Sequence, residues 1–157
     1  MIGLYLLIGC GGGPDPGAGE LSGGQFVLPS LELELPLPSG GRWTASADDF
    51  VAGLPDTVLE GYAQGVNLAL TAHLPPPALG LRLAESSALD RLLELAPPAA
   101  EPTPVQRLPD CHGAIEQQLP GMLRVAWASG EGLAVLYAWG PADRVAVARH
   151  LACTEPK

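Results

Sequence analysis

Residues 123–139 read LRVAWASGEGLAVLYAW, two apolar segments joined by a short loop that contains two glycines. Two such segments around a short glycine-containing loop are typical of a β-hairpin. If Gly130 and Glu131 form a two-residue loop, the alternation of side chains along each strand makes one face of the hairpin wholly apolar. That face carries Leu123, Val125, Trp127, Ala134, Leu136 and Ala138. The hairpin therefore predicts an antiparallel sheet with this face on the core.

The segment before the hairpin, residues 114–119, predicts a third strand that can join it in two registers. A two-residue loop at Pro120-Gly121 places Glu116 on the apolar face, whereas a three-residue loop ending at Met122 places Ile115 there. A shift of one residue exchanges the faces of a strand, and burial of a charged group is unfavourable. We therefore predict the three-residue loop.

Three more segments bear on the strand order. Leu31 to Leu35 alternates leucine with glutamate, and Gly65 to His73 alternates up to a run of prolines, so both are predicted strands. Arg42 to Ser46 predicts a short strand in which Trp43 anchors the core. Residues 58–64 leave the choice of element open.

Two helices are predicted. In the first, Ser87 can cap the N-terminus and Pro97 ends the apolar stripe, and the second runs from Asp143 to Cys153. Strands, a helix, three further strands and a terminal helix make an α+β fold, with an antiparallel sheet of about five to seven strands and two helices, the second at the C-terminus.

Composition limits the classes of function. A chain of 157 residues with 47% hydrophobic content is expected to form one folded domain. The formal net charge of −9 argues against nucleic acid as a partner, because binding to phosphates depends on lysine and arginine. The same charge would be repelled by an anionic lipid surface. Any attachment to a membrane must therefore come from something other than electrostatics.

The first residues, MIGLYLLIGC, are apolar or glycine up to Cys10. This run is too short for a transmembrane helix, which needs about 20 residues. Leu7-Ile8-Gly9-Cys10 resembles the lipobox of bacterial lipoproteins, although no lysine or arginine precedes it. The resemblance implies that the Cys10 thiol receives a diacylglyceryl group, that cleavage removes residues 1–9, and that the new amino terminus receives an acyl chain such as palmitate.

Two or more acyl chains would hold the protein stably at a membrane. Residues 10–24 then comprise the lipidated cysteine and a Gly/Pro tether, whose residues from Gly11 onwards have an r.m.s. span of roughly 20 Å, and residues 25–157 form the single folded domain. The lipoprotein resemblance implies the cell envelope as the location. Gly11 stands where some inner-membrane lipoproteins carry aspartate, which favours the outer membrane over the inner.

Cys111 and Cys153 remain once Cys10 is assigned to the lipid. In an oxidising compartment two such cysteines are expected to form a disulfide. The alternative is a zinc site completed by His112 and His150. Adjacent residues on an extended segment point to opposite sides, so Cys111 and His112 are a poor pair of ligands for one ion. We predict the disulfide and no metal.

The order of elements, with the segment from Leu33 to Trp43, resembles PsbP-like small lipoproteins of bacteria. No phosphate loop, nucleophile elbow or HExxH motif occurs, so the sequence predicts no catalytic residue and no cofactor. We predict a non-catalytic lipid-anchored envelope protein with a protein or small-ligand partner. The predicted binding face carries Arg124, Tyr137 and Trp139. The alternatives are an envelope hydrolase with dispersed acidic residues and an unprocessed cytoplasmic protein.

Overall fold

The computed structural model describes residues 16–45, 57–74, 106–108, 110–111, 113–119, 121–130, 132–141 and 146–154. These residues form ten β-strands, a short 3₁₀ helix (Pro29–Leu31) and the helix α1 (Val147–Cys153). The strands are β1 (Glu20–Ser22), β2 (Gln25–Leu28), β3 (Leu33–Pro36), β4 (Arg42–Ala45), β5 (Thr57–Ala63), β6 (Val66–His73), β7 (Gln106–Arg107), β8 (Ile115–Leu119), β9 (Met122–Ser129) and β10 (Gly132–Trp139).

The strands form two antiparallel sheets. Seven strands follow the order β4-β5-β6-β10-β9-β8-β7, and β1, β2 and β3 form a separate three-stranded sheet in chain order. The prediction of an α+β fold with an antiparallel sheet is thus confirmed at the level of class. The second sheet was not predicted. Of the two predicted helices, the described residues contain α1, and the one predicted from Ser87 lies outside the described ranges.

The β9–β10 hairpin has the predicted register. Gly132 pairs with Ser129 and Leu136 with Val125, which is the register of a two-residue loop. All six residues predicted for the apolar face belong to one buried cluster. We call this side of the seven-stranded sheet the first face and the opposite side the second face.

The first face is covered by the three-stranded sheet and by α1. Their apolar side chains belong to the same buried cluster: Phe26, Leu28, Leu33 and Leu35 from the small sheet, and Val147, Ala148, Leu151 and Ala152 from the helix. Every second residue of β2 and β3 is buried, which reflects the alternation expected of half-buried strands. The main core therefore lies between the two sheets.

The predicted three-residue loop between β8 and β9 is wrong. Leu119 pairs with Met122 and Glu116 with Val125, so the loop has two residues and Glu116 lies on the first face. The helix α1 makes this register acceptable, because Arg149 Nε and Nη2 donate hydrogen bonds of 2.6 and 2.8 Å to the two carboxylate oxygens of Glu116. A carboxylate with a bidentate guanidinium partner does not carry the full cost of burial.

The folded part begins earlier than predicted. Residues 20–22, assigned to the tether from sequence, form β1 and pair with residues 25–27 of β2. Gly23 and Gly24 close this hairpin with φ values of 59° and 78°, which the favoured two-residue hairpin turn requires and which glycine adopts without strain. The Gly-Gly pair thus belongs to a turn of the domain.

The strand predicted from Leu31 starts two residues later, at Leu33. Pro29 opens the 3₁₀ helix, and Glu32 ends it with a left-handed φ of 51°. This short helix places Leu31 against the tip of the β9–β10 hairpin, where Ser129 Oγ donates a 3.0 Å hydrogen bond to the Leu31 carbonyl oxygen. The alternating pattern that begins at Leu31 therefore becomes a strand only from Leu33, after the contact of Leu31 with the hairpin tip.

Candidate functional site

A groove opens on the second face, at the edge of the seven-stranded sheet formed by β4. Its volume is about 630 Å³, within the range of roughly 300–1,000 Å³ that is usual for ligand sites. Strands β4, β5, β6 and β10 contribute to its lining. The second-face side chains in that lining are Arg42, Thr44, Glu60, Tyr62, Asn67 and Trp139.

Strand pairing arranges four of these side chains in a row. Arg42 lies opposite Tyr62, Tyr62 opposite Asn67, and Asn67 opposite Trp139, so polar and aromatic residues alternate across four neighbouring strands. Neighbouring strands lie about 4.8 Å apart, which gives the row a length of roughly 14 Å. We call these four residues the groove row. Glu60, which pairs with Thr44, lies one step along β5 on the same face.

The polar groups of the groove face solvent. The Arg42 guanidinium carbon lies 5.6 Å from the centre of the Tyr62 ring, a cation–π arrangement. Within the ranges that the structure describes, the side chains of Arg42, Glu60 and Asn67 have no salt bridge or hydrogen bond. Their donors and acceptors are therefore available to a ligand.

Trp43 packs on the first face behind the groove. A Cβ atom at Gly61, its partner in β5, would lie 2.3 Å from the indole Cε3 atom, so a glycine is needed for the indole to lie across this strand. A Cβ atom added at Gly41 would likewise lie too close to the indole, at 2.5 Å from Nε1 of Trp43. The indole thus supports the strands that carry the groove row.

The second face continues from the groove into a buried polar cluster. His73 Nε2 lies 3.0 Å from Oγ1 of Thr71, and that hydroxyl donates a 3.4 Å hydrogen bond to the Val135 carbonyl oxygen. Arg124, next to Tyr137 in the register, donates a hydrogen bond to Oε1 of Gln117. Apolar side chains surround these groups, with Ala69, Ile115, Ala126, Leu133 and Val135 all at most 1% exposed.

The predicted binding face is divided between these two environments. Arg124 and Tyr137 are 6% and 1% exposed and do not line the groove, whereas Trp139 is half-buried and does. The Tyr137 and Trp139 rings lie 6.4 Å apart with an interplanar angle of 29°. Of the three predicted residues, Trp139 thus lies on the groove, and Arg124 and Tyr137 lie in the buried polar cluster.

The sequence prediction missed the groove residues Arg42, Glu60, Tyr62 and Asn67. Glu60 and Tyr62 lie on β5, for which the sequence left the element open. Arg42 and Asn67 lie on predicted strands, but the order of those strands in the sheet was not predicted.

The cysteines predicted to pair lie at bonding distance. The sulfur atoms of Cys111 and Cys153 are 2.03 Å apart and join the turn before β8 to the end of α1. His150 is exposed on α1, and His112 and Cys10 lie outside the described ranges. Among the residues that are described, no group of three or more His, Cys, Asp or Glu side chains could hold a metal ion.

The buried Tyr137 predicts a loss of stability at alkaline pH. Burial raises the pKa of Tyr137 above its ordinary value of 10.0, and the charge of Arg124 with hydrogen-bonding groups nearby offsets only part of this rise. Above pH 10 the unfolded chain therefore loses this proton before the native protein does, so the free energy of unfolding falls as pH rises. Urea titrations between about pH 9 and 11.5 should show a shallower fall in Tyr137→Phe than in the wild type.

Tyr62→Phe is the matched control for this measurement, because Tyr62 is 42% exposed. It should retain the pH dependence of the wild type. An equal slope in the wild type and in Tyr137→Phe would contradict the prediction.

Comparison with known proteins finds no match: no family model fits the chain, and neither a curated protein nor a solved structure is significantly similar to it. Among the described helices none is long and apolar enough to cross a bilayer. The resemblances to lipoproteins therefore stay predictions from the sequence.

Proposed function

We propose that this protein is a lipid-anchored protein of the bacterial cell envelope that binds a small ligand in the groove on β4, β5, β6 and β10 without catalysis. The Leu7-Ile8-Gly9-Cys10 motif supports the anchor, and Gly11 supports the outer membrane. The juxtaposition of Cys111 and Cys153 supports an oxidising compartment, where such a bond persists.

The observation that carries the binding function is the set of unused polar groups in the groove. Within the described residues, the side chains of Arg42, Glu60 and Asn67 have no hydrogen bond or salt bridge. They share one concave surface with Tyr62 and Trp139. A few convergent polar groups beside aromatic surface are characteristic of sites for small molecules. The described lining contains a single carboxylate, Glu60, whereas acid–base hydrolysis of the glycosidase type uses two. The lining therefore favours binding over hydrolysis.

The contact that Pro16 makes with the domain limits how far the domain can lie from the proposed anchor. Ser30 Oγ donates a 2.5 Å hydrogen bond to the Pro16 carbonyl oxygen, so the domain already includes Pro16. The chain from Cys10 to Pro16 can extend at most about 20 Å. The proposed anchor would thus hold Pro16 within about 20 Å of the lipid-bearing cysteine.

The anchor is tested by expressing the full chain and a Cys10→Ser variant in a bacterium, with separation of inner and outer membranes. We expect the wild type in the outer-membrane fraction, with an intact mass that lacks residues 1–9 and includes acyl chains. Cys10→Ser should appear in the soluble fraction. The double variant Cys111→Ala/Cys153→Ala controls for the loss of cysteine as such and should remain in the membrane. A soluble wild-type chain that retains Met1 to Gly9 would refute the anchor.

A further inference from the structure

The alternation of side chains in the groove row indicates the kind of surface that a ligand must present. Tyr62, 42% exposed, and the half-buried Trp139 offer aromatic faces, while Arg42 and Asn67 offer planar polar groups beside them. An aromatic face carries partial negative charge and attracts polarised C–H groups. Guanidinium and amide groups can each bond two neighbouring oxygen atoms. The ligand should therefore combine apolar C–H faces with pairs of hydroxyl groups.

The charges of the groove disfavour ligands that carry charge of a single sign. Arg42 and Glu60 lie on the same face and oppose each other in sign, and the chain as a whole carries −9. An anionic ligand would meet Glu60 within a negative field, and a cationic one would meet Arg42. A wholly apolar ligand would bury Arg42, Glu60 and Asn67 without partners, which is costly. An uncharged polyhydroxylated ligand avoids each of these penalties.

We infer that the groove binds an uncharged saccharide unit of an envelope glycan, an inference that rests on the proposed function. A pyranose ring has an apolar C–H face, which would stack on the exposed Tyr62 ring. Its rim of hydroxyl groups would bond Arg42, Asn67 and Glu60. The groove row, roughly 14 Å long, suits a short oligosaccharide that lies across the strands.

The test uses the full-length protein in detergent with three probes: an N-acetylglucosamine trisaccharide, maltotriose and the tripeptide Ala-Gln-Ala. Binding is measured by saturation-transfer NMR and by tryptophan fluorescence, to which Trp139 contributes. We expect at least one saccharide to bind and the tripeptide not to bind. Tyr62→Ala and Asn67→Ala should each weaken that binding by about tenfold.

Leu21→Ala is the matched control for Tyr62→Ala, because both side chains are 42% exposed and Leu21 lies on β1 outside the groove. It should leave saccharide binding unchanged, as should Glu34→Gln on β3. Circular dichroism and thermal unfolding should show that all four variants remain folded.

The outcomes separate the two proposals. Binding of the tripeptide alone, lost in Tyr62→Ala, would overturn the saccharide assignment and leave the groove as a ligand site. Saccharide binding that is equal in the wild type and Tyr62→Ala would overturn the assignment to this groove. Failure of all three probes would overturn the saccharide inference, while the anchor would still be decided by the mass of the membrane-extracted chain.

Discussion

Loss of the Cys111–Cys153 disulfide is expected to lower the free energy of unfolding by about 4 kcal/mol. The two cysteines are 42 residues apart, and a loop of that length restricts the unfolded chain considerably. The bond also joins α1 to the turn before β8, the strand whose inward-facing Glu116 pairs with Arg149 of α1. For a domain of this size the loss corresponds to a fall in Tm of about 10 °C.

The measurement is thermal unfolding of the wild type with and without reductant, alongside the double variant Cys111→Ala/Cys153→Ala. The double variant should match the reduced wild type and should not respond to reductant. A wild type whose Tm is the same in both conditions would contradict the prediction. It would also remove one support for an oxidising compartment.

Truncation of Trp127 is expected to cost about 3–5 kcal/mol. The indole is fully buried on the first face, and its neighbours along the cross-strand row are Ala134 and Ala72. These small side chains leave room for the indole but cannot fill the space that Trp127→Ala would create. The resulting cavity adds to the loss of apolar burial.

Urea unfolding followed by circular dichroism measures this effect without depending on the fluorescence that the substitution removes. Trp139→Ala is the matched control, because Trp139 belongs to the paired strand but is only half-buried. It should cost about 2 kcal/mol. Equal losses in the two variants would contradict the assignment of Trp127 to the centre of the core.

Local sequence patterns were sufficient to predict a strand and its register where the burial pattern and the turn residues agreed. In the β9–β10 hairpin, one register makes a face with no polar residue, and the loop at Gly130 suits that register. The strand β6 was recognised for a similar reason, since residues 65–73 alternate and end at prolines. Such signals depend on neighbours in sequence, so they can be recognised without knowledge of the rest of the fold.

The register of β8 shows where local patterns fail. Read alone, the strand favours burial of Ile115 over Glu116, and the three-residue loop follows from that preference. Arg149, 33 residues further along the chain, supplies the partner that reverses it. Ile115 is still buried, at 1% exposure, because the second face also has an apolar cluster. No local rule could have detected a compensation that depends on the docking of α1.

The groove could not be predicted from local sequence patterns either. Its residues come from three separated segments, around Arg42, between Glu60 and Asn67, and at Trp139. None of these segments contains a motif. Their common surface arises from the strand order β4-β5-β6-β10, in which Trp139 of β10 pairs with Asn67 of β6, 72 residues earlier in the sequence.

The sequence by itself determined the β9–β10 hairpin, the α+β class and the residues of the main apolar face, because alternation and turn residues act between near neighbours. Only the tertiary structure decided the second sheet, the burial of Glu116 and the groove row. The burial of Glu116 and the groove row depend on contacts between distant segments, whose energies become available only after the chain has closed the intervening loops. The strands of the second sheet are close in sequence, but the apolar side chains that they bury pack on the distant strands of the first face.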